Sequence, residues 1–183
     1  MELSRINSLV ELFFKKYEEI NSNSNRLFLK SLKDNKKNFF TWKKVKEDII
    51  ILSDYLRKNL SLGDRCILLS ENRPEWLIAD LAIMNSGAVT VPLFTTYSKN
   101  DYQYIIDDCK PKICIVSNDI QFKKIEKFIA SEVRVISFEK FDEKVESIQN
   151  LLENYNRNQS LDLYQDYNKD LKRKNLACII YTS

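Results

Sequence analysis

Thr182 and Ser183 close the sequence, directly after the apolar run Leu176-Ala177-Cys178-Ile179-Ile180 and Tyr181. A continuous apolar run of this length reads as a strand covered on both faces, and the hydroxyl pair at its carboxyl end starts a loop. Ligands of open α/β sheets bind beyond the carboxyl ends of strands, so these two hydroxyls stand where a site begins. Thr95, Thr96 and Tyr97 follow another strand and share that edge, although ordinary loop chemistry accounts for them equally well. Asp107-Asp108 is an adjacent carboxylate pair near a helix end. Neighbouring helix residues do not face each other, so the pair is read as solvated and not as an acid/base couple.

Much chemistry is excluded by what the chain lacks. It contains no histidine, which removes a Ser-His-Asp mechanism. Gly63 and Gly87 are its only glycines, so neither GxGxxG nor a complete Walker loop can be written. No CxxC occurs, which speaks against a zinc site or a disulfide framework. Cys66, Cys114 and Cys178 sit in the apolar strings CILL, ICIV and ACII and are expected to be buried packing residues, while Cys109 ends a helical stretch. No catalytic residue and no metal ligand is assigned.

The elements that position these residues follow from periodicity. Val45, Ile49, Leu52 and Leu56 form one helical stripe behind Thr41 as N-cap. Gly63-Asp64 punctuates, Arg65–Ser70 is a buried strand, and Pro74 opens a helix lined by Leu77, Leu81 and Met84 that ends near Gly87. Ala88–Phe94 is a strand kept short or kinked by Pro92, which cannot donate to a central ladder. Ser98 and Asp101 imitate a capping box for a helix carrying Tyr102, Ile105 and Ile106. Lys112–Val116 is the next strand, Phe122, Ile125 and Ile129 mark a helix, and Val133–Ile136 is one more strand. This alternation predicts an α/β fold, a mostly parallel sheet with helices on both faces. Val145, Ile148, Leu151 and Leu152 suggest a further helix, Leu27–Leu32 a short strand, Asn21–Asn25 a loop, and residues 154–174 a long polar surface excursion. The Asn158-Gln159-Ser160 sequon is read as chance.

The 183 residues are enough for one domain with a sizeable core. A net charge of +3 from 29 basic and 26 acidic side chains, spread along the chain, implies no nucleic-acid partner. No 18-residue apolar run spans a bilayer. The first segment, with Leu9, Leu12 and Phe13 beside Lys15 and Lys16, reads as an amphipathic packing helix and not a signal peptide; peripheral contact with a membrane surface stays open. Cysteine usage points to a reducing cytoplasm.

Several segments together resemble one family. Ser70–Phe94, SENRPEWLIADLAIMNSGAVTVPLF, is similar to the amino-terminal region of AMP-forming acyl-CoA synthetases, particularly the long-chain fatty acid type. FTWKKV at Phe40–Val45 resembles that superfamily's first core motif, SLGDRCILLS its G-D-R strand unit, and LACIIYTS the start of its glycine-rich phosphate-loop signature. Asn175 and Cys178 depart from residues common there, aspartate and threonine. The resemblance implies a partial amino-terminal AMP-binding domain over residues 1–183, truncated at the start of the phosphate-binding loop, with Thr182 and Ser183 as nucleotide-contacting hydroxyls. It further implies that the full-length parent uses ATP, CoA and Mg²⁺ to convert a fatty acid to acyl-AMP and then to a thioester, and that these residues alone are inactive. Another acid-activating ligase of the superfamily, or a noncatalytic flavodoxin-like α/β partner-binding protein, remains the alternative.

Overall fold

The computed structural model describes residues 6–20, 25–31, 39–154 and 171–182. α1 (Leu9–Ile20) leads into an antiparallel pair, β1 (Leu27–Lys30) with β2 (Phe39–Thr41). Then come α2 (Trp42–Arg57), β3 (Arg65–Leu69), α3 (Pro74–Ser86), β4 (Val89–Leu93), α4 (Lys99–Cys109), β5 (Ile113–Val116), α5 (Asp119–Ile125), β6 (Arg134–Ser137), β7 (Glu146–Ser147) and α6 (Ile148–Asn154). The last five strands form one parallel sheet in the order β4-β3-β5-β6-β7. The chain goes outward from β3 to β4 and then crosses back over β3 to β5, so the point where strand order reverses lies between β3 and β5.

Local signals set the helix ends. The Thr41 hydroxyl accepts from the Lys44 N–H at 3.2 Å, capping α2. Pro74 stands at the first turn of α3, where its missing N–H costs nothing, and Gly87 terminates that helix with φ 87°, a conformation that favours glycine. The capping box at α4 is complete: Asp101 N–H donates to the Ser98 hydroxyl, and Ser98 N–H donates to the Asp101 carboxylate.

Strand alternation then divides the core into two layers. Cys66, Leu68, Ile113 and Ile115 pack with Val45, Ile49, Leu52 and Leu56 of α2, with α3, and with Val10 and Phe14 of α1. Ile67, Leu69, Val91, Cys114 and Val116 face Tyr102, Ile105 and Ile106 of α4 and Ile125 of α5. Burying each such aliphatic side chain contributes about 1.5–3 kcal/mol, which is why the strands read as unbroken apolar strings. α1 is the packing helix its spacing suggests: Phe13 stacks on Trp42 with ring centroids 5.4 Å apart.

Five expectations change. Leu176–Tyr181 is not a full strand, because only Cys178 pairs, through an isolated parallel bridge to Thr90. Cys178 is accordingly exposed, not buried like Cys66 and Cys114, since its side of the segment has no covering helix. Ile129 lies beyond the end of α5, and Val145 precedes β7 instead of joining α6. The short strand stops at Lys30. Leu32, the stretches 21–24 and 155–170 with its sequon, and Ser183 lie outside the described residues.

Candidate functional site

The terminal segment runs along the free edge of β4. Thr90 N–H donates to the Ala177 carbonyl at 3.0 Å, and Ile179 N–H donates to the Thr90 carbonyl at 2.9 Å. In a parallel ladder the next donor on β4 facing this segment is residue 92, and Pro92 has none to give. One residue type therefore limits the pairing to a single bridge. Ile179 and Tyr181 turn toward the layer covered by α4, whereas Leu176 and Ile180 point the other way and are 67% and 61% exposed.

Side chains hold the segment where the ladder stops. The Tyr97 hydroxyl donates to the Tyr181 carbonyl at 3.0 Å, and the Tyr181 hydroxyl donates to Asp108 Oδ2 at 2.5 Å. Tyr104 meets the Tyr181 ring edge-on at 6.3 Å between centroids. Burial first, and then the adjoining Asp108 carboxylate, push the Tyr181 phenol well above its ordinary pKa. Thr182 follows, exposed, at the carboxyl edge of the sheet beside the 94–98 loop. That loop is itself fastened from below: Lys124 Nζ donates to the Thr95 carbonyl at 2.7 Å and the Tyr102 hydroxyl to the Phe94 carbonyl at 2.8 Å. Tyr97 sits between Phe94 and Tyr102 in edge-on contacts. The structure thus joins Tyr181, the residue before Thr182, to the loop through Tyr97, and Asp108, read from sequence as solvated, holds the Tyr181 phenol.

The crevice at the strand reversal holds a second polar group, which sequence reading treated only as a loop and helix start. Glu71, just past β3, accepts from the Ser117 hydroxyl at 2.6 Å and from Gln121 Nε2 at 2.7 Å. Ser117 and Gln121 are buried, so the chain's own carboxylate fills the position where an open α/β sheet usually receives a ligand. Next to it, Arg73 bridges Glu75 and Glu139 and lies over the Phe138 ring. Burial works against its charge, but the two carboxylates outweigh it and hold the guanidinium above its ordinary pKa. The signal was present in sequence as an acid immediately after one buried strand and Ser117-Asn118 after its neighbour, but only strand order makes them adjacent.

Among the described residues no group of three or more His, Cys, Asp or Glu side chains could hold a metal ion. No described helix is long and apolar enough to cross a membrane.

Residues 18–183 match the family model described as AMP-binding enzyme. Fatty acyl-CoA synthetase A of Dictyostelium discoideum is 30% identical over 118 residues, covering 61% of this chain and 17% of that protein. A long-chain-fatty-acid–CoA ligase of Mycobacterium tuberculosis is 37% identical over 57 residues, covering 31% of this chain and 10% of that one. In structure, the luciferase-like enzyme of the mealworm Zophobas morio superimposes with a TM-score of 0.74 at 19% identity, covering 100% of this chain and 41% of its own. An anthranilate CoA ligase in complex with anthranoyl-AMP gives 0.69 at 18% identity, over 84% of this chain and 30% of that one. These two likenesses establish the fold. The chain spans well under half the length of the relatives it matches.

Proposed function

The chain belongs to the AMP-binding enzyme family, and from that premise we propose that it serves ATP-dependent activation of a fatty acid, as the amino-terminal part of an acyl-CoA ligase whose phosphate-binding loop begins at Thr182 and Ser183. In this reading a carboxylate oxygen attacks the α-phosphorus of ATP, the bond to pyrophosphate breaks, and acyl-AMP forms. The thiol of CoA then attacks the acyl carbonyl and AMP departs.

One observation carries the reading for this chain: the segment bridged at Cys178 to Thr90 on the edge of the parallel sheet is held at the Tyr181 carbonyl by Tyr97, and exposed Thr182 follows directly. Hydroxyls and free backbone N–H groups at such an edge suit the negative charge that develops during phosphoryl chemistry. The fatty acid rests on the names of the relatives. Mg²⁺ would accompany the ATP phosphates, but the described residues offer no cluster of three or more carboxylate or cysteine ligands for it. In the proposal residues 1–183 are a partial AMP-binding domain, inactive alone, and among the described residues neither a general base nor an acid-binding pocket is assigned. Buried thiols at Cys66, Cys109 and Cys114 suit a reducing compartment such as the cytoplasm.

The test is ATP–pyrophosphate exchange by the protein encoded by the whole gene, run across a panel of carboxylic acids. Exchange supported best by long-chain fatty acids agrees with the proposal. Exchange supported best by an aromatic or amino acid moves the chain to another acid-activating ligase, and pyrophosphate release by the 183-residue chain alone contradicts its inactivity.

A further inference from the structure

The edge of β4 shows a division of labour that nothing in the motif pattern announces. Up to Thr90 the terminal segment is held by backbone; past Pro92 it is held by Tyr97 on its carbonyl and by Asp108 on its phenol. These two groups come from different elements, the 94–98 loop and α4, and both converge on the single residue before Thr182. Asp108 is exposed, and Tyr97 packs its ring against the core layer under α4 while its hydroxyl is directed at the segment. The loop bearing Tyr97 is already fixed by Lys124, by Tyr102 and by the capping box of α4, so it can serve as a reference point for its partner.

We propose that Tyr97 and Asp108 are positioning residues, replacing the ladder that Pro92 interrupts and setting the height and direction at which Thr182 leaves the sheet. The inference rests on the reading that Thr182 opens a phosphate-binding loop. A side-chain pin has a use there that a ladder lacks. It fixes one point of the strand while leaving the backbone groups beyond it free to meet a ligand. The Tyr97 hydroxyl occupies one lone pair of the Tyr181 carbonyl, and Asp108 holds the Tyr181 ring, so the residue from which Thr182 departs is fixed at two points.

Two measurements decide it. In the 183-residue chain labelled with ¹³Cζ-tyrosine, the Tyr181 ring resonance, assigned with Y181F, shifts in D108A and stays close to wild type in D108N, whose amide oxygen still accepts from the phenol. In the protein encoded by the whole gene, Y97F and D108A each lower kcat for fatty acyl-adenylate formation on the order of tenfold, with KM for the fatty acid unchanged and D108N restoring most of the rate. A merely structural role would shift the melting temperature and scale all rates with the folded fraction, without that split and without rescue. Unchanged kcat in both variants of an active enzyme overturns the positioning role, and an unmoved Tyr181 resonance in D108A overturns the contact. A wild-type protein that adenylates no acid overturns the functional reading, while the labelled short chain still decides the contact separately.

Discussion

Cys178 and Cys66 show how little separates a buried from an exposed thiol in sequence: both lie in short apolar strings, yet one string is covered by helices on two sides and the other on one. Burial raises the Cys66 and Cys114 thiols well above their ordinary range and brings Cys109 to about 11. A native thiol-labelling trace at pH 8 is therefore expected to show one fast site, Cys178, with three more appearing only on denaturation. Fast labelling at Cys66 or Cys114 would mean that the helices do not close over the sheet, and at Cys109 that α4 does not pack on it. Gly87 offers a sharper stability test. An added Cβ there would meet Leu62 Cδ1 at 3.1 Å, on top of the cost of φ +87°, whereas at Gly63, φ +82°, the space is open. Gly87→Ala is expected to lose about 1–2 kcal/mol in urea unfolding and Gly63→Ala about 1 kcal/mol; equal losses would show that Leu62 simply moves aside. Asp80 adds a pH dependence. Burial raises its pKa above 3.8, with Thr90 partly opposing the shift. A carboxyl whose folded pKa is raised stabilises the fold when protonated and loses that contribution as pH rises through the folded value. Asp80→Asn should thus gain stability relative to wild type at pH 7 and lose the advantage below about pH 4. A gain that persists at pH 3 would assign the effect to packing instead.

Pro92 governs the terminal segment as an element. Sequence reading identified its missing donor and expected a short or kinked strand, but the consequence falls on the neighbour: β4 itself runs Val89–Leu93 in full register with β3, and it is Leu176–Tyr181 that loses its ladder. Pro92→Val supplies an N–H opposite the Ile179 carbonyl. A protected amide at residue 92 of the variant and a gain of about 0.5–1.5 kcal/mol are expected, and exchange of that amide at the unprotected rate would show that the segment is held apart from β4 for another reason. Other elements were readable because their signals are local. Thr41, Pro74, Gly87 and the Ser98/Asp101 box each mark an end through bonds made within a few residues. Long-range pairings were not readable. Glu71 meets Ser117 and Gln121, and Asp108 meets Tyr181, only because strand order folds distant loops onto one edge. Periodicity reports which face of an element is apolar and says nothing of which polar tips coincide.

As a whole, the molecule is a parallel sheet whose reversal crevice is filled by its own Glu71 and whose open edge carries a strip of exposed apolar residues ending in Thr182. Alternating periodicity foretold the parallel sheet, whereas the last segment, expected as a full strand, meets it through one bridge only. Periodicity did not foretell that the segment would be pinned by side chains. Leu176, Ile180 and Phe94 remain exposed around that edge. Clustered exposed apolar side chains favour association, so removing residues from Leu176 onward should lower light scattering. The most direct measurement is mass-spectrometric detection of the products formed from ATP and oleate, without CoA, by the protein encoded by the whole gene. The account expects oleoyl-AMP and pyrophosphate, strongly reduced in Thr182→Val. Formation of ADP and phosphate instead, or products independent of oleate, would contradict it.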